Sequence, residues 1–125
     1  MYRLGIRREF KARHFLVGGD WGAENIEHAH RYRMELVLEA KTLDRHGFLV
    51  DIVEVEQHLD AVVAAYQDRT LNATSAFAGL NPSIERLAAV LHEAFRERLG
   101  HLSLDALSVT IWEDDIAWTS YRTSL

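Results

Sequence analysis

Three histidines and one glutamate have the types and spacing that chemistry needs. His28 and His30 stand two apart at the head of a segment whose apolar residues Tyr32, Met34, Leu36 and Leu38 take every second place. That period belongs to a half-buried strand, so both imidazoles share its inward face. A third imidazole, His14, ends the preceding segment Phe10-Lys11-Ala12-Arg13-His14. Three convergent imidazoles with an open fourth position suit zinc. In a chain with seven histidines, however, a spaced pair is more commonly two solvated or hydrogen-bonded side chains, so the spacing alone leaves that alternative open. Glu113 has the same parity as Leu107, Val109 and Ile111 and should face inward with them. A buried carboxylate without a partner is costly, so this residue calls for a ligand or another polar group. The alternative is an exposed glutamate at a strand end, beside Asp114 and Asp115.

The elements that must position these groups can be read in order. Tyr2, Leu4 and Ile6 alternate with Arg3, Gly5 and Arg7, predicting a first strand that continues through Phe10 and Ala12 to His14. Val17 to Gly22 is glycine-rich but lacks the spacing and setting of a phosphate cradle, and reads as a flexible connection. The second strand runs from His28 to about Thr42, before the turn signature Leu43-Asp44-Arg45-His46-Gly47. Asp51 with Glu54 three residues on predicts a capping box, ahead of helical spacing at Val55, Leu59, Val62, Val63 and Tyr66. Leu71 to Leu80 is a loop of mostly small residues. Asn81-Pro82 predicts an N-cap and a first-turn proline for a second helix, with Ile84, Leu87, Ala88, Leu91, Phe95 and Leu99 on its apolar side and Gly100 at its end. Two alternating segments around Asp114-Asp115 close the chain. The order ββααββ over residues 1–125 predicts a single α+β domain, a four-stranded antiparallel sheet with two helices on one face. Such a sheet leaves two edges and one face open, which predicts a homo-oligomer.

Composition sets the class. With 125 residues, 48% of them hydrophobic, the chain can bury a core without staples. The absence of cysteine excludes disulfides, thiolate metal sites and thiol nucleophiles. A net charge of −5 and the lack of any run of lysine or arginine argue against a nucleic-acid partner. The first residues lack an apolar segment of signal-peptide length and no stretch reaches membrane-spanning length, so a cytoplasmic protein without membrane contact is expected. A small molecule is the expected ligand.

The order of elements, together with Phe10-x-Ala12-x-His14, His28-x-His30, Val50-Asp51, Leu71-Asn72, Asn81-Pro82-Ser83-Ile84-Glu85 and Glu113, resembles the 6-pyruvoyltetrahydropterin synthase and 6-carboxytetrahydropterin synthase family over nearly the whole chain. The resemblance implies the tunnelling fold: trimers whose sheets close into a barrel, stacked as hexamers, with pterin sites between subunits. It implies zinc on His14, His28 and His30, holding the side-chain hydroxyls of a dihydropterin. It also implies that Glu113 anchors the pterin ring, where one carboxylate accepts a ring N–H and the adjacent amino group together. Ala29 replaces the glycine that the family places between the paired histidines.

The departures from the family pattern carry the functional question. Its synthases use a cysteine four residues before the paired histidines; here that residue is Glu24. Their Asp-His couple before Leu-Asn falls on Gln67 and Asp68. A glutamate at the cysteine position resembles the branch that splits dihydroneopterin to 6-hydroxymethyldihydropterin, where a carboxylate is general base on a zinc-bound diol; that branch keeps the couple. Losing a positioned acid-base group costs roughly 10²–10⁴ in rate. The expected function is therefore a divergent family member that binds a pterin-type ligand without the standard synthase activity. The alternative is a zinc-dependent pterin side-chain lyase, with Glu24 as base and Asp68 as an acid whose role would call for burial. His46, His58, His92 and His101 read as solvated groups, and Trp21, Trp112 and Trp118 as buried or contact residues rather than ring-stacking platforms.

Overall fold

A computed structural model describes residues 1–125, in the order β1 (Tyr2–His14), β2 (His28–Ala40), α1 (Ile52–Ala64), α2 (Ile84–Leu99), β3 (Ala106–Trp112) and β4 (Trp118–Ser124). The strands form one antiparallel sheet in the order β1-β2-β3-β4. β1 and β2 pair along their whole length, from Tyr2 opposite Ala40 to His14 opposite His28. The hairpin therefore delivers both ends of the 15–27 loop to one place.

One sheet face supplies Phe10, Ala12, Tyr32, Met34, Leu36, Leu38, Leu107, Val109 and Ile111, all buried. Against it pack Val55, Leu59 and Val62 of α1 and Leu87, Ala88, Leu91, Phe95 and Leu99 of α2, forming one continuous core. Burying each such large side chain stabilises the fold by ~1.5–3 kcal/mol. His92, also buried, has its Nε2 3.1 Å from the Leu107 carbonyl and 3.0 Å from Thr123 Oγ1, so α2 is tied to both β3 and β4.

The opposite face carries no helix. Strand alternation collects there charges that look dispersed in the sequence, paired as Arg7–Glu35 at 2.6 Å and Arg122–Glu39 at 2.7 Å, with Arg3 3.7 Å from Glu39. Glu39 is nearly inaccessible, and its hydrogen bond from the Arg122 guanidinium holds its carboxyl below the usual range. Arg33 lies over the Trp112 ring, which in turn faces Trp118 across the β3–β4 pair. No helix is long and apolar enough to cross a membrane.

The element boundaries differ from the sequence reading at several points. β2 ends at Ala40, and Tyr66 packs into the core from the turn after α1. Asp51 caps α1 by accepting from Val53 N, but the Glu54 carboxylate turns away to His101 instead of closing a capping box. Ser83 rather than Asn81 is the N-cap of α2, accepting from Arg86 N at 3.2 Å. Asn81 and Pro82 are drawn instead toward the end of β1. The loop after α1 contains two short 3-10 turns, Leu71–Ala73 and Ser75–Phe77, that plug the core with Leu71 and Phe77.

Candidate functional site

The site grows from the end of the β1–β2 hairpin. Because His14 is the cross-strand partner of His28, and His30 lies two residues further along β2 opposite Ala12, the three imidazoles come from adjacent rows of one face. Their ring centroids are 4.6 Å (His14–His28), 5.0 Å (His14–His30) and 4.8 Å (His28–His30) apart. The methyl group of Ala12, fully buried, is the small neighbour that leaves room beside His30.

The chain leaving β1 is held by three asparagines. Asn72 accepts from Phe15 N and donates to Phe15 O, both at 3.0 Å, and Asn81 accepts from Val17 N at 3.3 Å. Asn25 donates to the carbonyls of Leu16 and Gly19 and accepts from Trp21 N. The segment read as a flexible connection is thus a hydrogen-bonded loop, ending in a 3-10 turn over Gly22–Asn25 that carries Glu24. Gly22 opens that turn at φ +62, a left-handed conformation that suits glycine. The result is that Glu24 Oε2 stands 2.9 Å from His28 Nε2.

The outer nitrogens are tied to backbone. His14 Nδ1 lies 2.9 Å from the Pro82 carbonyl and His28 Nδ1 2.7 Å from the Ile26 carbonyl. A carbonyl only accepts, so both Nδ1 atoms carry the hydrogen and, in the neutral rings, both Nε2 lone pairs point into the cluster. Those two Nε2 atoms are 3.0 Å apart. Two facing lone pairs at that distance require a cation between them, either a shared proton or a metal ion. Burial lowers the pKa of His14, and the backbone bond to Pro82 partly opposes it. His30 Nε2 is buried without a hydrogen-bond partner: Glu113 Oε1 lies 2.8 Å away but outside hydrogen-bond geometry. An orphaned imidazole nitrogen, two opposed lone pairs and outer N–H groups on carbonyls are compatible with a histidine metal site, with Glu24 as a further oxygen within 4.8 Å of the rest.

Glu113 sits just past β3 and shares with His14, Leu16, Glu24, His30, Ser83, Ile84, Glu85 and Asp114 a cleft of about 470 Å³. It is the second carboxylate beside the cluster, 3.9 Å from His14 Nε2. Asp114 closes the β3–β4 turn, and the backbone N–H groups of Ala117 and Ile116 lower its pKa. Tyr32 lies beneath, its hydroxyl 3.3 Å from His14 Nδ1, and burial raises its pKa.

Four of the six residues singled out from the sequence, His14, Glu24, His30 and Glu113, line this cleft, and His28 joins them from its edge through His14 Nε2, 3.0 Å away, and Glu24 Oε2, 2.9 Å away. Asp68 does not join them within the chain. It is exposed, adopts a left-handed backbone at φ 59, and lines a separate cavity of about 650 Å³ with Arg13, Arg69, Thr70, Thr74 and Ser75. The sequence reading missed the positioning roles of Asn25, Asn72 and Asn81; only Asn25, three residues before His28, lies near the site in sequence, and Asn72 and Asn81 reach it from the loop before α2.

Residues 3–124 match the family model described as 6-pyruvoyl tetrahydropterin synthase. The chain belongs to this family. A dihydroneopterin monophosphate aldolase of Pyrococcus furiosus is 30% identical over 112 residues, which span 89% of each protein. The fold is that of the Caenorhabditis elegans 6-pyruvoyl tetrahydropterin synthase, with TM-score 0.80 and 21% identity over 99% of this chain and 98% of that one. A Plasmodium vivax 6-pyruvoyltetrahydropterin synthase, solved as a catalytic-residue mutant, superposes with TM-score 0.82 at 13% identity over the same shares. The ββααββ sheet with helices on one face is therefore the family's architecture, and the histidine cluster is compatible with a zinc-dependent family.

Proposed function

We propose that the chain is a zinc-dependent lyase of a dihydropterin side chain, acting on dihydroneopterin or one of its phosphate esters. The observation that carries this reading is the Glu24 carboxylate, 2.9 Å from His28 Nε2 at the edge of the three-histidine cluster, where a synthase would use a cysteine. A relative named as a dihydroneopterin monophosphate aldolase, 30% identical over 112 residues, supports it. The ordinary synthase reaction is not proposed, because this chain has no cysteine and carries Gln67 and Asp68 where the family has its Asp-His couple.

His14, His28 and His30 would hold the zinc, whose chemistry there is to acidify a side-chain hydroxyl of the substrate. Glu113 accepts the ring N–H and amino group of the pterin and fixes the ring in the cleft. Glu24 takes the proton from the hydroxyl on the second side-chain carbon. As the bond between the first and second side-chain carbons breaks, its electron pair passes toward the ring, the two-carbon aldehyde leaves, and the Glu24 carboxyl returns the proton to the first carbon. The products are 6-hydroxymethyldihydropterin and glycolaldehyde or its phosphate, so atoms and electrons balance. Assembly as a homotrimer or hexamer is part of the proposal: it would cover the helix-free sheet face and pair the edges of β1 and β4.

A second reading is favoured by the place of Asp68, which lies in a separate cavity and has no histidine partner. On that reading the chain binds a pterin-type ligand without turning it over. The zinc-loaded protein is offered dihydroneopterin, its monophosphate and its triphosphate, and products are separated by fluorescence chromatography. Release of 6-hydroxymethyldihydropterin supports the lyase; saturable pterin binding with no product supports the second reading.

A further inference from the structure

A second cluster of metal-ligating side chains lies on the helical layer. Glu54 and His58 stand one helical turn apart on α1, so they share a face. His101 comes from the residue after Gly100, which ends α2. His101 Nε2 is 2.5 Å from Glu54 Oε1, His58 Nε2 is 3.8 Å from the same oxygen, and all three ligand atoms lie within 4.8 Å of one another. The two imidazole rings are tilted 56° to one another with centroids 6.0 Å apart.

We infer that Glu54, His58 and His101 form a second divalent-cation site, a zinc staple between the start of α1 and the end of α2. Two imidazoles and one carboxylate are a borderline-soft donor set that suits zinc, with water completing the shell. Each group is partly exposed, so the ion has an entry path. Glu54 gives up the capping-box position that its spacing from Asp51 offers and turns to the histidines instead. One feature opposes binding: Arg98 Nη1 lies 3.5 Å from His58 Nδ1. Its guanidinium is exposed and on the outer nitrogen, so it can swing into solvent as His58 changes tautomer and offers Nε2 to the metal. The staple would clasp residues 47 apart in the chain and bind only the folded protein. It is built from other elements than the hairpin cluster and does not depend on the proposed reaction.

The test is zinc titration of the metal-stripped full chain by calorimetry, with competition against a chromophoric chelator. The wild type is expected to bind two zinc ions per chain, and His101→Ala one, with unchanged pterin binding. A His28→Ala/His30→Ala variant, checked for folding by circular dichroism, is expected to keep one zinc and to unfold at higher temperature when zinc is added; adding His58→Ala should abolish both effects. The inference is overturned if His101→Ala binds as much zinc as the wild type, or if the hairpin variant binds none. Failure at this site would leave the hairpin site standing, since that one is read from the loss caused by His28→Ala/His30→Ala.

Discussion

The Glu24→Gln substitution separates the proposed base from the rest of the site. Glutamine keeps the length and shape of a side chain whose carboxylate oxygen lies 2.9 Å from His28 Nε2 in the native protein, while removing the basicity that takes the hydroxyl proton. Loss of a positioned general base lowers kcat by roughly 10²–10⁴, about 2.7–5.4 kcal/mol of transition-state stabilisation. A rival base exists in the same cleft: Glu113 Oε1 is 2.8 Å from His30 Nε2 and 3.9 Å from His14 Nε2. The paired variant Glu113→Gln is therefore informative. If Glu113 holds the ring, its loss removes a charge-assisted contact of about 1.5–3 kcal/mol, which raises KM by roughly 10- to 150-fold and changes kcat little. Steady-state turnover of dihydroneopterin monophosphate at saturating zinc, with zinc content measured on each variant, supplies both constants. The reasoning is refuted if zinc-loaded Glu24→Gln keeps kcat within about threefold of wild type, or if Glu113→Gln takes the whole loss in kcat.

At the fully buried position 12, Ala12→Leu places three extra carbons beside the cross-strand partner His30; overpacking costs about 1–3 kcal/mol, and zinc at the hairpin site should weaken, read by chelator competition. Phe95→Ala empties a fully buried position between α2 and the sheet and should lower unfolding free energy by about 3–5 kcal/mol in urea titrations without altering zinc content. His92 is held neutral by burial, which lowers its pKa; below pH ~6.5 the unfolded chain takes up a proton that the folded chain resists, so stability falls as pH drops through that range. His92→Gln should flatten this slope as pH falls through about 6.5, while the loss from Glu39, whose folded pKa is depressed by Arg122, sets in only as pH falls below its ordinary 4.5.

Much of the architecture was legible because strand and helix periods differ. Tyr32, Met34, Leu36 and Leu38 could face the core only as a strand, and Leu87, Leu91 and Phe95 only as a helix. The parity that put His28 and His30 on one face was equally direct. Register was not legible: nothing in the local pattern says that His14 pairs with His28 rather than His30, because that choice is made by the length of the 15–27 loop and the asparagines that fold it. The asparagine at 81 looked like a helix cap because Ser83 and Asn81 are both competent caps; tertiary demand from Val17 N assigned Asn81 to the loop and left Ser83 to α2. Glu54 misled for the same reason, a local capping role losing to a partner 47 residues away.

The hairpin explains why one short loop can decide the chemistry of this fold. β1 and β2 fix three imidazoles through backbone pairing alone, and the carbonyls of Pro82 and Ile26 set which nitrogens point inward. None of that depends on residue 24. The carboxylate reaches the cluster only because Gly22 opens a left-handed turn and Leu16 N binds Glu24 O at 2.8 Å, which ties the far side of the loop back to the exit of β1. The histidine frame and the proposed base are therefore separable: the frame is a property of the sheet, and the Glu24 carboxylate is presented by a turn outside it. On the proposed reading, a turn of this kind can exchange a thiol for a carboxylate at position 24 while the histidine frame persists, and the proposed chemistry follows from which group the turn presents.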